Sequence, residues 1–362
     1  MTKETSPVAD QQQFYLNGFS RLIAGLKEDG DDAQIFEYLS QGLQTNPTLL
    51  LPIIEGSIEK ARVALGQERR GGSSATLYYP IEAAIKYLAK QKGISLDSRG
   101  NPFNSNSWSF SEVMSFLQTY QQEIIDIAGA KTTAKNLPQR AKQMMWLIDQ
   151  TTQMRPGSTF TFIELGASTG LILDAFRKPK KFREWYEKQP SSQSSQQVPF
   201  GVKLTRPEYA GIGLDISTPE MDWNLANILD VGIRDEVQDF ITVFPARSRV
   251  IVADAQRIQD IPEVARLFAK NDPSVPVVIS CFMLYQVLQP ARDKLEQSVR
   301  DFLQAQGGGF FIKTDIAKYM GKPSMAGGAL SWIENEKGDV ISPTIVLGGK
   351  TISTWEVRQE DI

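Results

Sequence analysis

Apolar positions recur every three or four residues through the first part of the chain. Phe14, Phe19, Leu22, Ile23 and Leu26 form one series, and Ile35, Phe36, Leu39 and Leu43 the next. This spacing predicts helices from Phe14 to about Ala64. Asn46-Pro47 marks a break between them, because proline suits the first turn of a new helix. Residues 1–12 are polar and predict no regular structure. Arg69-Arg70-Gly71-Gly72-Ser73-Ser74 reads as a loop, and Tyr78-Tyr79-Pro80 leads into a helix carrying Ile81, Ala84, Ile85 and Leu88. Residues 97–109, rich in Asn, Ser, Gly and Pro, predict a long loop. Ser111 then reads as the N-cap of a helical stretch through Ile127, and a further helix covers about 139–152. Nothing before residue 155 alternates as a strand does, so residues 1–155 are expected to form an all-helical domain.

From Phe160 the pattern changes. Phe160, Phe162, Ile163 and Leu165 are strand-forming, whereas Leu171, Ile172, Ala175 and Phe176 return to helical spacing. Between them lies Glu164-Leu165-Gly166-Ala167-Ser168-Thr169-Gly170, a glycine-bearing turn from strand to helix. Gly166 lets the chain turn off the strand with bare backbone, and Gly170 lets the new helix lie close to the sheet. The N–H groups at that helix start suit a carboxylate or phosphate. A dinucleotide fingerprint needs a second glycine where Ser168 stands. A Walker loop needs a lysine after Gly170, and none follows.

Further strands follow downstream. Tyr209 to Asp215 and Arg249 to Ala255 are short runs ending on an acid, and Pro276 to Tyr285 is the continuous apolar run of a central parallel strand. A helix carrying Arg292, Leu295, Val299 and Leu303 precedes a strand at Phe310–Thr314. Leu330–Ile341 and Thr344–Val357 read as antiparallel hairpin strands. Between the first two strands, the basic run at 178–183 reads as a solvated surface loop and the Ser/Gln tract at 191–197 as a flexible one. Residues 156–362 are therefore expected to be an α/β domain.

Composition narrows the chemistry. Of 362 residues, 41% are hydrophobic and 22% charged, which describes an ordinary globular chain with ample core material. The net charge of −3 offers no basic footprint for nucleic acid. The acidic start and the lack of a long apolar run predict no signal peptide and no membrane span. A single cysteine, Cys281, fits a reducing cytoplasm. The chain has no histidine, which excludes His-based triads and, with one Cys, a Cys/His zinc site; no metal is expected. Chemistry must run on carboxylates, Tyr, Lys, Ser/Thr or a bound cofactor.

The acidic-x-Gly-x-x-x-Gly turn at Glu164–Gly170, followed in order by strand ends at Asp215 and Asp254, resembles class I S-adenosylmethionine-dependent methyltransferases. Glu164-Leu165-Gly166-Ala167-Ser168-x-Gly170-Leu171, Tyr78-Tyr79-Pro80, the Thr132–Arg140 segment and the Tyr285…Arg292 pair are also similar to a bacterial domain-of-unknown-function family. That family joins an N-terminal helical region to a methyltransferase-like domain. The resemblance implies a Rossmann-like fold with a mainly parallel seven-stranded sheet, and S-adenosyl-L-methionine as cofactor. Glu164, Gly166, Ala167, Ser168 and Gly170 would meet its methionine part and Asp215 its ribose hydroxyls. Asp254 would meet its adenine, with Ile216, Ala255 and Phe282 beside them.

Tyr285 stands where the superfamily places catalytic or substrate-binding groups; packing between sheet and helices is the competing role. Tyr78, Tyr79, Asn136 and Arg140 would reach a small-molecule acceptor from the helical region, or serve its packing. Methyl transfer to O or N is the expected activity, and a methyltransferase fold that binds without catalysis is the alternative. A homodimer is left open. One departure stands out: Asp215 follows Glu164 by about 50 residues where about 20 is usual. An insertion after Lys178 is therefore required.

Overall fold

A computed structural model describes residues 7–29, 33–65, 77–94, 108–131, 137–190, 210–216, 218, 220–228, 231–245, 248–270, 274–284, 287–316, 329–342, 344–347 and 355–358. The chain divides into two units: Met1–Lys135 with Met221–Arg234, and Asn136–Glu220 with Asp235–Ile362. The first unit ends at Lys135 and includes a later segment, while helix continues in the second unit over Pro138–Met154.

In the first unit, described residues before Lys135 form helices α1 (Pro7–Asp29), α2 (Gln34–Thr45), α3 (Pro47–Leu65), α4 (Tyr79–Gln91), α5 (Phe110–Thr119) and α6 (Gln121–Ala130). Helix α1 begins inside the stretch expected to lack structure. Ser109, not Ser111, caps α5: its hydroxyl accepts from Glu112 N–H while the Glu112 carboxylate accepts from Ser109 N–H, a reciprocal capping box. Apolar stripes of α1–α4 supply a core that includes Phe19, Phe36, Leu43, Ile53 and Ile85. The later segment adds α10 (Met221–Ala226), whose Trp223 meets the Tyr87 ring edge-on at 5.9 Å and whose Asp222 pairs with Lys90 at 2.5 Å.

The second unit is a mixed α/β structure, compatible with a Rossmann-like fold. Its strands are β1 (Thr159–Leu165), β2 (Ala210–Asp215), β3 (Arg249–Val252), β4 (Ser274–Cys281), β5 (Phe310–Ile316), β6 (Ala329–Glu334), β7 (Thr344–Leu347) and β8 (Trp355–Arg358). They make one sheet in the order β3-β2-β1-β4-β5-β6-β7-β8. The pairs from β3 through β5 are parallel, and those from β5 through β8 are antiparallel. Eight strands stand where seven are expected, because the C-terminal end folds as a three-strand meander.

Apolar runs in β1 and β4 are buried because helices cover both faces. One face carries Ile163, Leu165, Leu214, Val278 and Phe311, packed on α12 (Gln289–Ala305), α11 (Pro262–Lys270) and a 3₁₀ turn at Ala255–Asp260. The other carries Phe160, Phe162 and Glu164 beneath α8 (Leu171–Arg177), with α7 (Pro138–Met154) packed on α8 and β5. The basic run after Lys178 is no loop. It forms α9 (Pro179–Tyr186), burying Phe182, Trp185 and Tyr186 while its cations face out. Leu165 pairs with Leu214 in parallel register, so Asp215 does end the strand beside β1, after a long connection from that strand.

Candidate functional site

The chain leaves β1 for β2 and β3 on one side and returns to β4 and β5 on the other. This reversal opens a switch point at the carboxyl ends of β1 and β4, where open α/β sheets bind ligands. Backbone strain collects there. Among the described residues the only non-glycine residues at positive φ are Ser168 (+47°), in the turn after β1, and Phe282 (+54°), directly after β4. Such conformations persist where the surroundings enforce them, often at binding sites.

The turn is built by close approach. Gly166 has φ +65°, and a Cβ on it would lie 2.6 Å from Met283 Cγ. In the middle of β2, a Cβ on Gly213 would lie 2.5 Å from that of Ala167, so this second bare position lets the turn settle on the sheet. Gly166 and Ala167 N–H donate to Leu214 O at 2.8 and 3.1 Å, and Ser168 N–H donates to Asp215 Oδ2 at 2.8 Å. The strand-end acid thus holds the turn through one of its oxygens. Gly170, at φ +73°, begins α8, which is only seven residues long.

Four charged groups gather around this turn. Glu164 is 1% exposed at the end of β1, and its Oε2 has no hydrogen-bond partner. Burial, then the charges of Asp215 and Asp174, hold its carboxyl well above the usual range, against the pull of Arg140. Asp174, buried in α8, accepts from Ser248 N–H at 2.8 Å and from its hydroxyl at 2.7 Å, which ties the approach to β3. Arg140, 7% exposed on α7, stacks its guanidinium 4.4 Å from the Phe282 ring centre, and its Nε has no partner. Cys281 lies beside them. Burial pushes its thiol up to about 12, with Glu164 and Asp315 adding to the rise and Arg140 opposing it.

Parallel register puts Glu164, Ile279 and Ile312 on one face, and continues it through Cys281, Thr314 and Ser331. Gln143, three residues after Arg140 and so on the same side of α7, donates to Ser331, whose hydroxyl lies 2.6 Å from that of Thr314. Polar groups therefore run along this face toward the antiparallel strands.

Of the residues singled out in the sequence, the structure brings together Glu164, Gly166, Ala167, Ser168, Gly170, Asp215, Phe282 and Arg140. Ile216 follows Asp215 and is 48% exposed, near Val252, which is 56% exposed. Asp254 is exposed and caps the 3₁₀ turn through Gln256 N–H at 2.9 Å. Ala255 is buried in the core of the opposite face.

Tyr78 and Tyr79 belong to the helical unit. Tyr78 is buried 4.3 Å from the Phe19 ring, its hydroxyl donates to Tyr15 O at 3.3 Å, and burial pushes that hydroxyl up to about 12. Tyr79 packs 5.7 Å from Phe36. Asn136 and Tyr285 lie outside the described residues. Sequence reasoning missed Asp174, Gln143 and Gly213. Only the last left a signal, a lone glycine within a strand pattern, which marks close backbone approach.

A separate cleft of about 810 Å³ opens at the amino edge of the sheet, lined by Arg155, Ser158, Thr159, Phe268, Ser274 and Gln306. It lies across the sheet from the strained turns and the unpartnered acid. Among the described residues no helix is long and apolar enough to cross a membrane. Set against protein-family models and curated proteins, the chain matches none.

Proposed function

We propose that the sheet unit binds S-adenosyl-L-methionine at the carboxyl ends of β1 and β2, and that the protein transfers a methyl group to O or N of a small molecule. One observation carries this reading. Beside the strained turn, Glu164 is buried with an unpartnered oxygen, and the charges that bear on it are those of two further buried acids, Asp215 and Asp174, and of Arg140. A buried acid whose ionisation its acidic neighbours oppose gains a favourable partner when a cationic ligand binds. When bound, the cofactor supplies a methyl group already activated on a sulfonium cation.

The residues suit the remaining parts of that ligand. Asp215 has one oxygen committed to Ser168 N–H, and as a carboxylate it has acceptor capacity for two adjacent hydroxyls. Ile216 and Val252 offer exposed apolar surface next to it. Asp254, exposed at the end of β3, is an acceptor for an amino group. With no histidine in the chain, proton removal from the acceptor falls to a carboxylate or to Tyr285.

Isothermal calorimetry with S-adenosylmethionine and S-adenosylhomocysteine tests the site. The expected result is saturable binding that Asp215→Ala weakens roughly 10- to 100-fold, as loss of a charged hydrogen-bond acceptor does. Unchanged affinity in that variant sinks the ribose assignment.

A further inference from the structure

Glu164 is the one member of the acidic group whose carboxylate is not anchored. Asp174 accepts from Ser248 and Asp215 from Ser168, whereas Glu164 Oε2 is enclosed without a donor. The charged groups that bear on it are Asp215 from β2, Asp174 from α8 and Arg140 from α7, and it bears in turn on the Cys281 thiol of β4. Asp315 of β5 acts on the same thiol. Two acids oppose ionisation of Glu164 and one guanidinium favours it, while that guanidinium is stacked on Phe282. Among the described residues, no three Asp, Glu or Cys are placed to share a metal ion.

Resting on the cofactor reading above, we infer that Glu164 is the seat of a cationic group of the ligand, and that it holds a proton in the free protein and releases it when that group is bound. An unpartnered buried carboxyl is cheaper to keep neutral than ionised. A cation placed beside it reverses that preference, and the proton leaves to solvent. The pull of burial and of the two neighbouring acids, noted above, acts in the same direction. The cation is an ammonium or a sulfonium, and S-adenosylmethionine carries both, whereas S-adenosylhomocysteine retains only the ammonium.

The test has two arms. The first needs no ligand: thermal unfolding of wild type and Glu164→Gln across pH. A carboxyl raised on folding adds stability at low pH that is lost as pH rises through its folded value. Wild type should therefore lose stability relative to the variant as pH increases; parallel curves overturn the held proton. The second arm is calorimetry of both compounds at one pH in buffers of different ionisation enthalpy.

About one proton should be released per ligand bound, and affinity should strengthen by up to about tenfold per pH unit below the Glu164 titration. Glu164→Gln should abolish both effects. Release with both compounds assigns the ammonium, and release with S-adenosylmethionine alone assigns the sulfonium. Binding of both without release overturns this inference and leaves the cofactor reading intact. No binding of either compound overturns the cofactor reading and the seat together, while the first arm still decides whether the proton is held.

Discussion

Two glutamates in this protein are equally withdrawn from water, at 1% exposure each, and they are treated in opposite ways. Glu82, on α4 of the helical unit, is paired with Lys86 one turn along the same helix, and Lys86 is itself fully buried. Glu164, at the end of β1 in the sheet unit, faces two further acids and a guanidinium that stacks elsewhere. The first acid has a countercharge one turn away on its own helix, at the spacing that brings side chains together. On the second, two acids act against one guanidinium, an arrangement that a cationic ligand would complement. Burial alone therefore does not single out a candidate functional acid; like charges beside it are the further signal.

The contrast can be broken most forcefully at the pair of Glu82 and Lys86. Lys86→Met leaves Glu82 buried without its cation and should destabilise the protein by about 3–5 kcal/mol, read from denaturant unfolding. Replacing both residues with apolar ones of similar size should recover most of that loss. Glu164→Gln should act in the opposite sense, stabilising the protein as pH rises. Equal responses of the two sites to neutralisation would remove the distinction drawn between them.

Smaller effects test the frame around each glutamate. Gly166→Ala forces a Cβ into left-handed backbone against Met283 and should cost about 1–2 kcal/mol. Its midpoint shift should come with weakened ligand binding. In the helical unit, Tyr78→Phe removes one hydrogen bond to Tyr15 O and should cost about 1 kcal/mol, with ligand affinity unchanged. A loss of affinity in that variant would return Tyr78 to the binding surface.

Much of the sheet was legible because parallel strands covered on both faces have no choice but to be apolar. Val277, Val278 and Ile279 announce β4 in any context. Glu164 and Asp215 were legible for the same reason, since an acid that ends such a run stands out. What escaped depends on contacts distant in sequence. Asp174 looks like an ordinary polar residue on a helix until Ser248, far along the chain, donates to it from backbone and hydroxyl. Arg140 acquires its meaning only from Phe282.

Local errors have local causes. The capping box at Ser109 and Glu112 is clear in the sequence, but Ser111 lies nearer the first buried residue, Val113, and draws attention from it. Helix α9 hides within a basic run because its buried aromatic face is narrow and its cations all point outward. The eighth strand had no signal of its own, since β7 and β8 are four residues each.

The return of Met221–Arg234 to the helical unit bears on how this protein is made. During synthesis the N-terminal helices emerge first, yet Trp223, which covers Tyr87, and Asp222, which pairs with Lys90, leave the ribosome only after β1 and β2. The helical unit therefore stays partly uncovered while the first strands of the sheet unit are already made. A chain released early, anywhere before Met221, would leave Tyr87 without its Trp223 cover, an apolar surface open to whatever quality-control machinery the cell provides.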